Sequence, residues 1–306
     1  MIAQDYAHLP HGSKTLFENE LLQIGATRCP REHPDFEDPG PIQRHVFYLG
    51  GRPVRVRGPG GFDFVADQTT VSFHNRGDEV RRSAGSGDGD FSHWFALQPE
   101  LLLPALLHHR QASAASSNGA AKFDEAKPFQ LSTGPCTAAA YGLQKALICQ
   151  LEAEQRAADL WIEESALQLL HLVLQSATGM TPARGAARAP TSRRHRELVE
   201  AAKLRLGQGL PERLGLSELA RSLGTSSFHL ARVFRAQTGW SLHAYRTQLR
   251  LVAAVDALYA GVSDLTQLAL ELGFSSHSHL SSCFKRAFGC TPSRMRLEGS
   301  RVRRRR

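Results

Sequence analysis

A pattern that occurs twice, 49 to 50 residues apart, constrains this chain more than any other feature. The first copy is "LARSLGTSSFHLARVFRAQTGWS" (219–241) and the second is "LALELGFSSHSHLSSCFKRAFGCT" (268–291). Leu219/Leu268, Ala220/Ala269 and Gly224/Gly273 stand 49 apart. After one extra residue in the second copy, His229/His279, Leu230/Leu280, Phe234/Phe284 and Gly239/Gly289 stand 50 apart. Each copy reads as a short helix that stops at Leu-Gly, because glycine accepts the left-handed conformation a sharp stop needs. Ser226 in one copy, and Ser275 or Ser276 in the other, is placed to cap a second helix. That second helix buries a Leu and a Phe one turn apart and ends at Gly239 or Gly289. Two helices across a tight turn make a helix-turn-helix, whose second helix fits a DNA major groove. Residues 242–261 read as one long helix that joins the copies.

The charge agrees with a nucleic-acid partner for this part of the chain. Residues 191–306 hold 20 of the 37 Lys and Arg and 8 of the 29 Asp and Glu, a net of +12, which leaves −4 on the first 190 residues. A basic third beside a mildly acidic remainder points to a polyanion at one end. The "RVRRRR" ending (301–306) reads as a basic arm adding nonspecific, salt-dependent affinity.

The rest of the chain has a different period. Residues 42–97 are short runs rich in Val, Phe, Tyr and Trp, broken by Gly, Pro, Asn and Asp, and predict antiparallel strands in a sandwich or barrel. "SAGSGDGD" (83–90) and "QASAASSNGAA" (111–121) read as loops. Helical periods follow at about 135–154 and 160–177, with Asp159 as a candidate N-cap of the second. Both helices are expected to pack on the sheet or on a second copy of the protein. Residues 179–194, rich in Ala, Gly, Pro, Ser and Thr, read as a linker. At roughly 100–200 residues per domain, 306 residues make two. The expected class is α+β: a strand-rich domain over 1–178 and an all-helical one over 195–306.

Residues 216–296 resemble the DNA-binding domain of the AraC/XylS family of transcription regulators. The match is carried by "LSELARSLGTSSFHLARVFRAQTGWSLHAYRTQLRL" and "LTQLALELGFSSHSHLSSCFKRAFGCTPSRMR". The resemblance implies two helix-turn-helix units reading successive major-groove faces. For the strand-rich part it implies a cupin-like domain that senses a small-molecule effector or forms a homodimer. The implied partners are double-stranded promoter DNA and RNA polymerase, in the cytoplasm.

In the first recognition helix, Ser227, Phe228, Ala231, Arg232 and Arg235 lie opposite Leu230 and Phe234. Arg232 is the best base reader, since arginine bonds guanine bidentately, and its position matches the family's base-contacting arginine. Phe228 meets a thymine methyl or covers the start of the helix. In the second helix His277, Ser278, Ser281, Ser282 and Lys285 face outward, followed by Arg286. His277 and Ser278 match base-contacting positions of the family, whereas Ser282 stands where the family usually has Arg. Lys285, Arg286, Thr291 and Arg294 suit phosphates, which give affinity without sequence information. Arg235, Arg246 and Arg250 do the same, or in the case of Arg250 pair within the domain.

Other constellations are weaker. His277, His279, Cys283 and Cys290 do not follow a zinc spacing, and the repeat aligns Cys283 with Val233 and Cys290 with Trp240, so both read as apolar slots. Cys29, His33, His45, His74 and His93 form no metal-ligand pattern, and neither a metal nor a cofactor is expected. Arg44, Tyr48, Phe73, Glu79, Arg81 and Trp94 are the candidates for a ligand pocket. No G-x-S-x-G, P-loop or H-E-x-x-H is present, and an enzyme is not expected. Five scattered cysteines suit reduced thiols. Neither a secretory leader nor a membrane span is expected.

Overall fold

The computed structural model describes residues 12–51, 53–58, 61–83, 89–114, 124–153, 158–178, 189–208 and 214–303. They fall into two compact units. One holds the described residues up to 140 and 158–178; the other holds 141–153 and those from 189 onward.

The first unit is built from antiparallel strands: β1 Gly12–Glu18, β2 Leu22–Pro30, β3 Val46–Gly50, β4 Val54–Gly58, β5 Phe62–Ala66, β6 Thr70–His74, β7 Arg81–Ser83, β8 Gly89–Leu97 and β9 Thr133–Pro135. Six of them form one sheet in the order β1-β2-β8-β3-β6-β9, and three form a second in the order β5-β4-β7. The expected antiparallel strand-rich domain is therefore present. Register divides its residues between two faces, because successive side chains of a strand point to opposite sides. Phe47 pairs with Phe73 and Phe95, and all three rings are buried, with Phe47 and Phe95 stacked at 4.9 Å. One residue on, Tyr48 pairs with Ser72 and Trp94 on the opposite face. Gly25 pairs with Trp94, where a Cβ would fall 2.2 Å from the indole ring.

Two helices complete this unit. α1 spans Pro99–Ala114 and went unforeseen. Its continuous Leu101–Leu103 run and an internal proline, Pro104, hide the helical period. The supposed loop at 111–121 is helical over 111–114, and its remainder, like 84–88 of the other, lies outside the described residues. Between α1 and the third helix lies α2, Ala138–Leu151. The third, α3, Asp159–Thr178, takes Asp159 as its first residue and packs on β9, where Gly134 sits against Ala177.

The second unit contains α4 Ala189–Gln208, α5 Leu216–Ser222, α6 Ser227–Thr238, α7 Leu242–Ala260, α8 Leu265–Glu271, α9 His277–Phe288 and α10 Pro292–Arg303. α4 begins at 189, so the last part of the expected linker is helix; 179–188 lie outside the described residues. Around the first helix-turn-helix, one core joins Val199, Ala202 and Leu206 of α4, Leu219 and Ala220 of α5, Leu230, Val233 and Phe234 of α6, and Tyr245 and Leu249 of α7.

From residue 141 on, α2 belongs to this unit and not to the sheet unit. The Tyr141 hydroxyl donates to both carboxylate oxygens of Asp256 on α7, at 2.8 and 2.9 Å. Lys145 Nζ stands 3.3 Å from the same carboxylate and over the Tyr259 ring. Gly142 lies against Phe288 at the end of α9. The expectation placed both mid-chain helices on the sheet or on a second copy of the protein; from residue 141 on, α2 packs within the helical unit instead. Its polar residues Tyr141 and Lys145 are buried against a carboxylate, which an apolar sheet face could not satisfy.

Candidate nucleic-acid interface and ligand cavity

The two halves of the repeat fold alike. Ser226 and Ser276 have extended backbones and accept from the amides of His229 and His279, capping α6 and α9. Gly239 and Gly289 close the same helices at φ 72° and 70°, a left-handed conformation that glycine adopts without strain. Gly224 and Gly273, at φ 63° and 77°, make the inter-helix turns. Leu230 and Phe234 in α6, and Leu280 and Phe284 in α9, are fully buried at 0% exposure.

Burial on one side leaves the other side of each helix free. In α6, Arg232 and Arg235 are exposed, Ala231 is half-buried, and Phe228 is 78% exposed, which removes the reading of Phe228 as a cover for its own helix. Ser227 is half-buried, its hydroxyl 3.4 Å from that of Ser217 on α5. In α9, His277, Ser278, Ser282, Lys285 and Arg286 are exposed, and half-buried Ser281 bonds the His277 ring.

Several supporting residues differ from expectation. Arg246 donates to the Leu214 carbonyl at 2.9 Å, and Arg250 stacks on Phe274 and abuts Gly273; both brace the fold. Burial, followed by the charge of Arg246, lowers the pKa of Arg250. Arg294 pairs with Glu298 one turn on, and Thr291 is exposed. His279 is held by the Ser275 hydroxyl at 2.9 Å, with its ring edge-on to Phe274. Cys283 is half-buried although its counterpart Val233 is core; Cys290 is half-buried, as is Trp240. Among the described residues, no group of three or more His, Cys, Asp or Glu is placed to hold a metal. His195 on α4, missed in the sequence, lies with its ring tilted toward that of His229 at 5.4 Å, and its pKa is lowered by burial, His229 and Arg232.

The sheet unit holds an open-mouthed cavity of about 450 Å³. Of the six sequence candidates, Arg44, Tyr48 and Trp94 line it. Phe73 does not: it packs against Phe47 and Phe129 on the other face of the sheet. Glu79 is exposed and bridges Pro41, and Arg81 is exposed beside Asp38. The alternation of β7 turns Arg82 inward instead, where it pairs with Asp90 at 2.8 Å and donates to the Phe36 carbonyl. Burial pushes the Asp90 carboxyl up against the opposing pull of Arg82. It also pushes the Tyr48 hydroxyl up to about 12 and takes His74 down to about 4, so both are neutral at pH 7. Ser72, His74, Arg82, Asp90 and Ser92 were missed as cavity residues. Their signal was the two-residue period of β6, β7 and β8, legible only once register sets which face is inward.

A family model described as a helix-turn-helix domain matches residues 219–298. The virulence regulon transcriptional activator VirF of Yersinia enterocolitica is 35% identical over 82 residues, which are 27% of this chain and 30% of VirF. The probable transcription factor PqrA of Proteus vulgaris is 32% identical over 89 residues, 29% of this chain and 73% of PqrA. The chain belongs to the AraC/XylS family of transcription regulators. A solved AraC-type DNA-binding protein of Chromobacterium violaceum is 30% identical and covers 36% of this chain and 96% of its own, with a TM-score of 0.32. The similarity lies in the helical unit, where α5–α6 and α8–α9 form the two helix-turn-helix units of an AraC/XylS-type DNA-binding domain. These relatives are described as transcription regulators. Among the described residues no helix is long and apolar enough to cross a membrane.

Proposed function

We propose that this regulator reads a promoter through α6 and α9 and is controlled by a small molecule in the cavity of the sheet unit. The observation that carries the DNA reading is the pair of identically capped helices, each with a buried Leu–Phe face and an exposed polar one. Arg232 is the guanine reader; Phe228, Ala231, His277 and Ser278 complete the base-facing surface, with Ser227, Ser281 and Ser282 at its margins. Arg235, Lys285 and Arg286 hold phosphates. The cavity supports an effector site because it is concave, mostly apolar in its walls, and has a few converging polar groups. An effector that prefers one conformation shifts its population, and with it promoter occupancy or contact with RNA polymerase. The regulator works in the cytoplasm without catalysis, and the sheet unit supports homodimer formation.

Selection of binding sites from random duplexes with the full chain tests this. The expected product is a site with two conserved elements about one helical turn apart. Equal affinity for all sequences rejects it.

A further inference from the structure

We propose that the cavity of the sheet unit selects an uncharged, largely apolar molecule that carries a hydroxyl or carbonyl group, and turns carboxylates away. This rests on the reading of the cavity as the effector site and adds the chemical class it takes.

The charges inside the cavity are already spent on each other. Arg82 and Asp90 are 2.8 Å apart, with side chains only 10% and 9% exposed, and Arg82 is pinned further by the Phe36 carbonyl. A carboxylate entering this space would have to draw Arg82 from Asp90. That leaves two anions sharing one cation out of water, and a buried charge without its partner is strongly disfavoured. An ammonium ion meets the mirror-image cost. An uncharged ligand leaves the pair intact.

The wall also carries neutral hydrogen-bonding groups. The Tyr48 hydroxyl has no partner among the described residues and lines the cavity, between Ser72 and Trp94 in register. The hydroxyls of Ser72 and Ser92 stand in the same lining, and Ser72 is bonded to the His74 ring at 3.0 Å. Such groups satisfy a ligand hydroxyl or carbonyl, and a site built to bond one rejects analogues lacking it. Ile42, Val46, Val54, Val56 and Val80, with the Trp94 ring, supply the apolar walls. Arg44 is the cation at the rim, but it is exposed, so water and salt weaken its hold on an anion.

Matched pairs of probes test the charge class directly: 2-naphthalenemethanol against 2-naphthoate, and cinnamyl alcohol against cinnamate. Each is titrated into the full-length protein at pH 7.5, by calorimetry and by thermal shift. The alcohol of each pair is expected to bind at least about tenfold tighter than its carboxylate. Asp90→Asn keeps the shape and frees the charge of Arg82, so the ranking is expected to invert. If the carboxylates win in the native protein, or if Asp90→Asn leaves the ranking as it was, the charge class is wrong while the cavity remains a ligand site. If no probe binds, the effector-site reading itself falls. Should Asp90→Asn not fold, the double variant Arg82→Gln/Asp90→Asn replaces both charges by amides. It is expected to keep the alcohol preference, and its loss would equally overturn the proposal.

Discussion

Lys145 on α2 and Asp256 on α7 form a buried ion pair at 3.3 Å, 111 residues apart in sequence, with side chains 4% and 7% exposed. The Tyr141 hydroxyl completes the arrangement by bonding both carboxylate oxygens. Lys145→Met removes one charge and leaves the other buried. It is expected to destabilise the protein by about 3 kcal/mol, read by urea denaturation. The double variant Lys145→Met/Asp256→Leu is expected to recover most of that loss, because an apolar pair of similar volume needs no compensation. A double variant as unstable as the single one refutes the account.

The same pair sets where the DNA-binding unit can be cut. A fragment of residues 192–306 lacks Tyr141 and Lys145 and keeps Asp256 in the middle of α7. In the full chain Asp256→Leu strands Lys145 and is expected to destabilise. In the fragment Lys145 is absent, so the same change leaves no buried lysine behind and is expected to cost on the order of 1–3 kcal/mol less than in the full chain. Thermal melts of the four proteins decide it. An equal cost in both contexts means that α2 is not a structural part of this unit.

In the proposed interface Arg232 reads a base and Arg235 holds a phosphate on the same helix. Arg232→Ala is expected to cost about 1–3 kcal/mol on the selected site and to relax one base position. Arg235→Ala is expected to weaken all sequences alike and to lower the slope of log K against log salt by about one. Binding isotherms at several salt concentrations distinguish these patterns; an unchanged site preference in Arg232→Ala removes its assigned role.

His74 makes the sheet unit sensitive to acid. Burial lowers its folded pKa from 6.5 to about 4. Below pH 6.5 the unfolded chain takes up a proton that the folded one refuses, so this contribution to stability falls as pH drops from 6.5 to about 4. The loss approaches roughly 3 kcal/mol at the bottom of that window. His74→Gln is expected to flatten the dependence of Tm on pH over that range. An equally steep profile in the variant assigns the acid sensitivity to other groups.

The helix-turn-helix units were legible because their determinants are local. A serine cap, a Leu–Phe pair one turn apart and a closing glycine act within about a dozen residues, and each appears twice in the sequence. The exposed faces of α6 and α9 followed from the same period. The cavity was only half legible: Tyr48 and Trp94 were named, but Arg81 was named where Arg82 lines the space. Neighbouring residues of a strand differ in nothing but the face they are given. Strand register, set by partners far along the chain, decides that face.

By itself the sequence determined two helix-turn-helix units of the AraC/XylS type and a strand-rich domain before them. Tertiary structure alone decided that α2 packs with the DNA-binding helices, since its polar residues become stable there only on meeting Asp256, more than a hundred residues away. It decided as well that the two buried charges of the cavity are paired, because Arg82 and Asp90 neutralise each other only once β7 and β8 bring them within 2.8 Å. Both outcomes rest on burial next to a partner of opposite charge, and a linear chain does not display distance.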